Sequence, residues 1–131
     1  MRWALLVAAL SVAGCVATPE SGAQPRPQPP PDDSSLSYGG LDQNIRVGPL
    51  IVRPLAVTED SRCPADVTCV WSGRLVMRAR VSGMTGLQTI SSIAPLALPG
   101  GGRLELVSVW PPRLGTASEP RPPYRFGFRR R

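Results

Sequence analysis

Between Val70 and Val81 apolar and charged residues alternate, and this stretch narrows the fold more than any other feature of the chain. Trp71, Leu75, Met77, Ala79 and Val81 fall on one side of an extended backbone, with Arg74, Arg78 and Arg80 on the other. Only Val76 interrupts the polar side. Successive side chains of a strand point to opposite faces, so this period of two predicts a half-buried antiparallel strand with Trp71 at its start. A helix would need apolar positions three and four apart. No such stripe exceeds two turns after the first fifteen residues.

The same reading extends along the chain. Ile45 and Val47 lead into Gly48-Pro49, and Leu50 to Val57 is an apolar run interrupted by Pro54. Proline donates no ladder hydrogen bond, which places this run at a sheet edge or a bulge. Gly83-Met84-Thr85-Gly86 is a turn into Leu87 to Ser91. A further strand runs from Arg103 to Trp110 after Gly100-Gly101-Gly102. The last puts Tyr124, Phe126 and Phe128 on one side, with Arg125 and Arg129 on the other. About six or seven short strands with turn residues between them predict an all-β domain over residues 41–131, a small antiparallel β-sandwich or open barrel.

Residues 1–14 have the layout of an export signal. Met1-Arg2 is a positive start, and Trp3 to Ala13 is an apolar stretch broken only by Ser11. It is shorter than the roughly 20 residues a bilayer span requires and fits a secretory core. Val12-Ala13-Gly14-Cys15 resembles the lipobox of bacterial lipoproteins, which implies cleavage before Cys15 and lipidation of its thiol. Buried acyl chains gain about 0.8 kcal/mol per CH₂, enough for a firm membrane anchor when two or three are present. Val16 stands where an aspartate would imply retention at the inner membrane, so the resemblance implies the periplasmic face of the outer membrane. A plain signal peptide cleaved near Ala17 is the alternative. Residues 15–40 then form a lipidated N-terminus and a tether. Six of the 16 prolines lie between Pro19 and Pro31, and Gln24 to Pro31 predicts a polyproline II spacer of about 3.1 Å per residue.

With Cys15 lipidated, Cys63 and Cys69 are the remaining thiols of the chain. In an exported, oxidising compartment a disulfide is the default, worth about 2 kcal/mol for so short a loop. Metal binding by two thiolates and a redox role at C-x₅-C spacing are the alternatives. The segment Asp60-Ser61-Arg62-Cys63-Pro64, followed by Cys69, Trp71 and Gly73, reads D-S-R-C-P-x₄-C-x-W-x-G. It resembles a motif in small, mostly uncharacterised lipoproteins and exported proteins of Gram-negative bacteria. That resemblance supports fold and location and carries over no catalytic residue. Two readings of the segment remain open. Asp60 and Arg62 pair with each other and with loop backbone to fix a turn. Alternatively, Asp60, Arg62, Asp66 and Trp71 form a ligand site, with Glu59 and the two aspartates offering oxygens to a hard cation and Arg62 binding a carboxylate or phosphate.

All 15 basic residues are Arg; the chain has no Lys and no His. This excludes the Ser-His-Asp and Cys-His pairs, His-ligated zinc, Schiff-base lysines and P-loops. From Leu41 onward 13 Arg face 6 acidic residues, and five of these Arg lie in residues 121–131. Arg125, Arg129, Arg130 and Arg131 are therefore candidate contacts for a polyanion, which in an envelope means lipid head groups or acidic polymers. The alternative is a solvated strand whose charge discourages edge aggregation. The expectation is a non-enzymatic envelope lipoprotein that binds or organises a protein or an anionic envelope component. It needs no cofactor or metal and has no nucleic-acid partner. A small-ligand or cation-binding module centred on residues 59–71 is the alternative.

Overall fold

The computed structural model describes residues 28–115 and 121–131. The expected export signal, Cys15 and most of the Pro-rich segment lie outside the described residues. The described chain forms eight strands: β1 Ser37–Gly39, β2 Ile45–Val47, β3 Leu50–Asp60, β4 Leu75–Val81, β5 Gln88–Ser91, β6 Leu96–Ala97, β7 Arg103–Trp110 and β8 Arg125–Arg130. They make two four-stranded sheets, ordered β1-β8-β7-β6 and β2-β3-β4-β5. Every pairing is antiparallel. The fold is a small β-sandwich.

Alternation built the core. Leu75, Met77, Ala79 and Val81 of β4 are buried, as their spacing predicts, beside Ile45, Val47, Val52 and Ile90 of the same sheet. The facing sheet contributes Leu104, Leu106, Phe126 and Phe128. Each such large side chain gains about 1.5–3 kcal/mol on leaving water. Tyr124, immediately before β8, and Phe126 and Phe128 within it continue one another, with ring centroids 5.5 and 6.4 Å apart.

Pro54 is buried inside β3, yet β2 pairs only with Leu50 to Val52. Proline thus lies beyond the reach of β2, where its carbonyl accepts the Asp42 amide at 2.7 Å and no N–H is called for. The register with β4 slips between Pro54 and Ala56 and again between Val57 and Glu59, giving the bulge that a strand proline favours.

Two expectations need correction. Trp71 does not join the inward face of β4. The strand begins at Leu75, because Gly73 adopts φ +64° and turns the chain before it. Trp71 stands exposed in the preceding loop. The sandwich also begins earlier than Leu41. Ser37–Gly39, within the expected tether, pairs with Phe126 to Phe128. Tyr38 lies opposite Gly127, where a Cβ would come within 2.8 Å of its ring. Three residues are too few for an alternation to be read, and the two-residue β6 escaped notice for the same reason.

Candidate functional site

The loop of residues 61–74 joins β3 to β4 at one end of the sandwich, and the motif residues shape it. The Ser61 amide donates to the Arg74 carbonyl (2.8 Å) and the Cys63 amide to the Ser72 carbonyl (2.9 Å), so the two arms run together at the neck. Glu59 receives both Arg74 Nε and Nη2 at 3.0 Å, and the Ser61 hydroxyl donates to the same carboxylate. These bonds hold the Glu59 carboxyl below its ordinary pKa. Beyond the neck the Cys63–Cys69 disulfide closes the tip.

A second set of bonds ties this loop to the other sheet. Arg62 donates through Nε and Nη2 to the two Asp60 carboxylate oxygens, each at 2.8 Å. The same guanidinium donates to the Val109 carbonyl (3.2 Å) and the Pro111 carbonyl (3.1 Å) at the end of β7. Tyr124 donates its hydroxyl to Asp60 at 2.9 Å. Arg113 donates to the Arg62 carbonyl and receives the Ala65 amide on its own carbonyl, while Asp66 accepts the Gly115 amide. Arg62 is thus a clamp across the open end of the sandwich. Its planar fork satisfies a carboxylate and two carbonyls at once, which a lysine could not do.

Of the four residues proposed from the sequence as ligand-binding, Asp60 and Arg62 meet, on each other and on backbone. Asp66 is exposed and stands apart from them, accepting the Gly115 amide on Oδ1. The fourth is different. Trp71 is 76% exposed and its neighbour Val70 96%, with Val67 exposed beside them. A shallow hollow of about 310 Å³ lies under the tip, lined in part by Arg62, Thr68, Trp71 and Arg113. Among the described residues no group of His, Cys, Asp and Glu is placed to hold a metal ion. The loop thus ends in an exposed apolar and aromatic tip above a neck held by hydrogen bonds and the disulfide.

The four arginines in and just after the last strand are also largely engaged. Arg125 pairs with Asp32 at 2.6 Å and lies 4.9 Å from the centre of the Tyr38 ring. Arg129 (2.9 Å) and Arg131 (3.6 Å) share Glu105, whose carboxyl they hold below its ordinary pKa. Arg130 reaches the Gly101 carbonyl at 3.5 Å. Arg103 of β7 is exposed and makes no ion pair among the described residues, and several arginines of the opposite sheet are like it. Arg46, Arg78 and Arg80 make no ion pair among the described residues, and Arg53 has only a 3.4 Å approach to Asp42. The alternation placed Arg78 and Arg80 on an outer face. Only the strand register shows that Arg53 stands directly opposite Arg80.

Comparisons with protein-family models, curated proteins and solved structures found no match to this chain. Its functional reading rests on its own geometry.

Proposed function

We propose that this protein is a non-enzymatic binding module of the bacterial envelope. It is anchored through a lipid on Cys15 at the periplasmic face of the outer membrane and captures a partner protein with the 61–74 loop. The observation that carries this reading is the exposure of Val70 and Trp71 on a loop that the disulfide, the neck hydrogen bonds and Arg62 hold in place. A tryptophan left in water forgoes the stabilisation of burial. At interfaces Trp is the residue whose removal most often costs affinity, and a preformed loop loses little entropy on docking. The lipobox resemblance around Cys15, the Pro-rich segment after it and the likeness of the Asp60 to Gly73 motif to exported Gram-negative proteins support the location. The commitment of Glu59 and Asp60 to Arg74, Arg62 and Tyr124 favours protein capture over cation binding at this loop.

The reading is tested by capture from detergent-solubilised envelope with wild-type protein and with Val70→Ser/Trp71→Ala. Both side chains are exposed, so the double variant is expected to melt within a few degrees of wild type. It should lose at least tenfold of one specifically retained protein. If both proteins retain the same set in the same amounts, the loop is not the docking site. The anchor has its own test. Cys15→Ala is expected to move the protein from the membrane pellet to the soluble periplasmic fraction, and unchanged fractionation would refute lipidation.

A further inference from the structure

The outer face of the β2-β3-β4-β5 sheet carries a second feature, independent of the loop. Its side chains form rows across the strands, set by the register. Arg46 lies opposite Ile51, Arg53 opposite Arg80, and Arg78 between Ala56 and Thr89. Leu87, immediately before β5, follows the Gln88–Ala79 pair and so extends the row of Arg80. All four arginines are exposed, as are Ile51 and Leu87.

Side chains directly opposite on an antiparallel pair have Cβ atoms roughly 4.5–5.5 Å apart, and like charges there destabilise the sheet. Arg53 and Arg80 are such a pair. Arg46 and Arg78 add to the same field; Asp42, which approaches Arg53, is itself exposed, and Glu59, opposite Val76 on this face, is engaged by Arg74. On the other sheet Arg129 and Arg125 are paired with Glu105 and Asp32, whereas Arg46, Arg78 and Arg80 have no such partner among the described residues, so the two faces differ in how far their arginines are paired.

We propose that this face is a docking surface for an anionic lipid bilayer, with the four arginines on head-group phosphates and Ile51 and Leu87 against the interface. Two properties select a bilayer over a soluble polyanion. The arginines are spread over three strands of a sheet rather than lined along a groove, which suits a planar array of phosphates. The exposed leucine and isoleucine among them are rewarded by a lipid interface and not by a hydrated polymer. Arginine donates two parallel hydrogen bonds to a phosphate, and each basic residue near an anionic surface adds roughly fivefold to binding. This goes beyond capture by the loop. With the face on the membrane, the sandwich lies flat and its loop end projects sideways along the surface.

The test is sedimentation of the full chain with phosphatidylglycerol vesicles and with phosphatidylcholine vesicles, for wild type and for Arg53→Ser/Arg80→Ser. Both proteins share one N-terminus, so any contribution from it cancels. Wild type is expected to bind phosphatidylglycerol at least tenfold more strongly than phosphatidylcholine, and to lose that preference in high salt. The double variant should lose about thirtyfold of its binding to phosphatidylglycerol, while its melting temperature stays level or rises because the like-charge pair is gone. Arg78→Ser is a single-site check, with a loss of about fivefold. Equal binding to the two lipids would overturn the proposal, as would a loss under threefold in the double variant. Inorganic polyphosphate held more tightly, phosphate for phosphate, than the vesicle surface would also overturn it and assign the face to a soluble polymer. The Val70 and Trp71 substitutions leave this face untouched, so either proposal can fail alone.

Discussion

Gly73→Ala is expected to lower the melting temperature by about 12–24 °C, corresponding to roughly 3 kcal/mol in a domain of this size. Two effects add. Gly73 has φ +64°, a conformation that an L side chain adopts only at a cost of about 1–2 kcal/mol. The larger effect is steric. A Cβ at this position would land on the carbonyl oxygen of Ser61, in the opposite arm of the loop neck. Backbone cannot swing aside as a flexible side chain can, so the neck must open. Opening it loosens the Ser61–Arg74 and Cys63–Ser72 hydrogen bonds. Gly83→Ala and Gly86→Ala provide the internal control. Both glycines have positive φ, at +81° and +73°, but a Cβ at either meets nothing within 4 Å. They should fall by only about 4–8 °C per kcal/mol of backbone cost. Equal losses at Gly73 and Gly83 in thermal melts would show that the close approach to Ser61 carries no weight.

This glycine marks the boundary between what the sequence disclosed and what it withheld. The period of two in β4, β7 and β8 is a local signal, since each strand buries one face whatever its neighbour is. Those strands were accordingly legible, and so was the sandwich they imply. Trp71 fits the same period arithmetically, but one left-handed residue two positions later resets the direction of the chain. Pattern counting does not see that turn. Tyr38 was hidden for another reason: its place is set by Gly127, some 90 residues on, and by the ion pair of Asp32 with Arg125.

The candidate site divides along the same line. The motif residues could be singled out, because two cysteines, a proline and paired charges in so short a span have few uses. Their partners are Val109, Pro111, Arg113, Gly115 and Tyr124, which lie 40 to 65 residues away and contribute mostly backbone atoms. Backbone carbonyls leave no mark in a sequence. Net charge misled in a similar way. The five arginines of residues 121–131 are conspicuous as a run, yet three of the last four are paired with acids. Four further arginines, with at most the 3.4 Å approach of Asp42 to Arg53, lie on β2, β3 and β4, where they come together only through the register.

Arg62→Ala should be as damaging as Gly73→Ala, costing about 3 kcal/mol and a similar 12–24 °C in melting temperature. The side chains of Arg62 and Asp60 are only 17% and 13% exposed. Removing the guanidinium strands a carboxylate in poor contact with water and leaves the Val109 and Pro111 carbonyls without their donor. Arg62→Lys should recover less than half of the loss, because an ammonium cannot bond both Asp60 oxygens in parallel while reaching two carbonyls. The dependence on pH separates this account from a simple packing defect. Burial by itself would raise the Asp60 carboxyl, but the hydrogen bonds from Arg62 and Tyr124 outweigh it and hold the group below its ordinary value. A depressed carboxyl stabilises the fold above its unfolded pKa, near 3.9, and that contribution is lost as pH falls through the lower folded value. Tyr124 works at the other end. Burial and its bond to Asp60 raise its hydroxyl, so its contribution is present below about pH 10 and is lost as pH rises through the higher folded value. With no His in the chain, wild-type stability should be level from about pH 5 to 9. In Arg62→Ala protonation of Asp60 relieves the stranded charge. The gap in melting temperature between wild type and variant should therefore be widest on the plateau and close by at least half between pH 5 and 3. A gap that stays constant over that range would mean that Arg62 acts through packing alone, and that the ion pair with Asp60 contributes nothing to holding the two sheets together at the loop end.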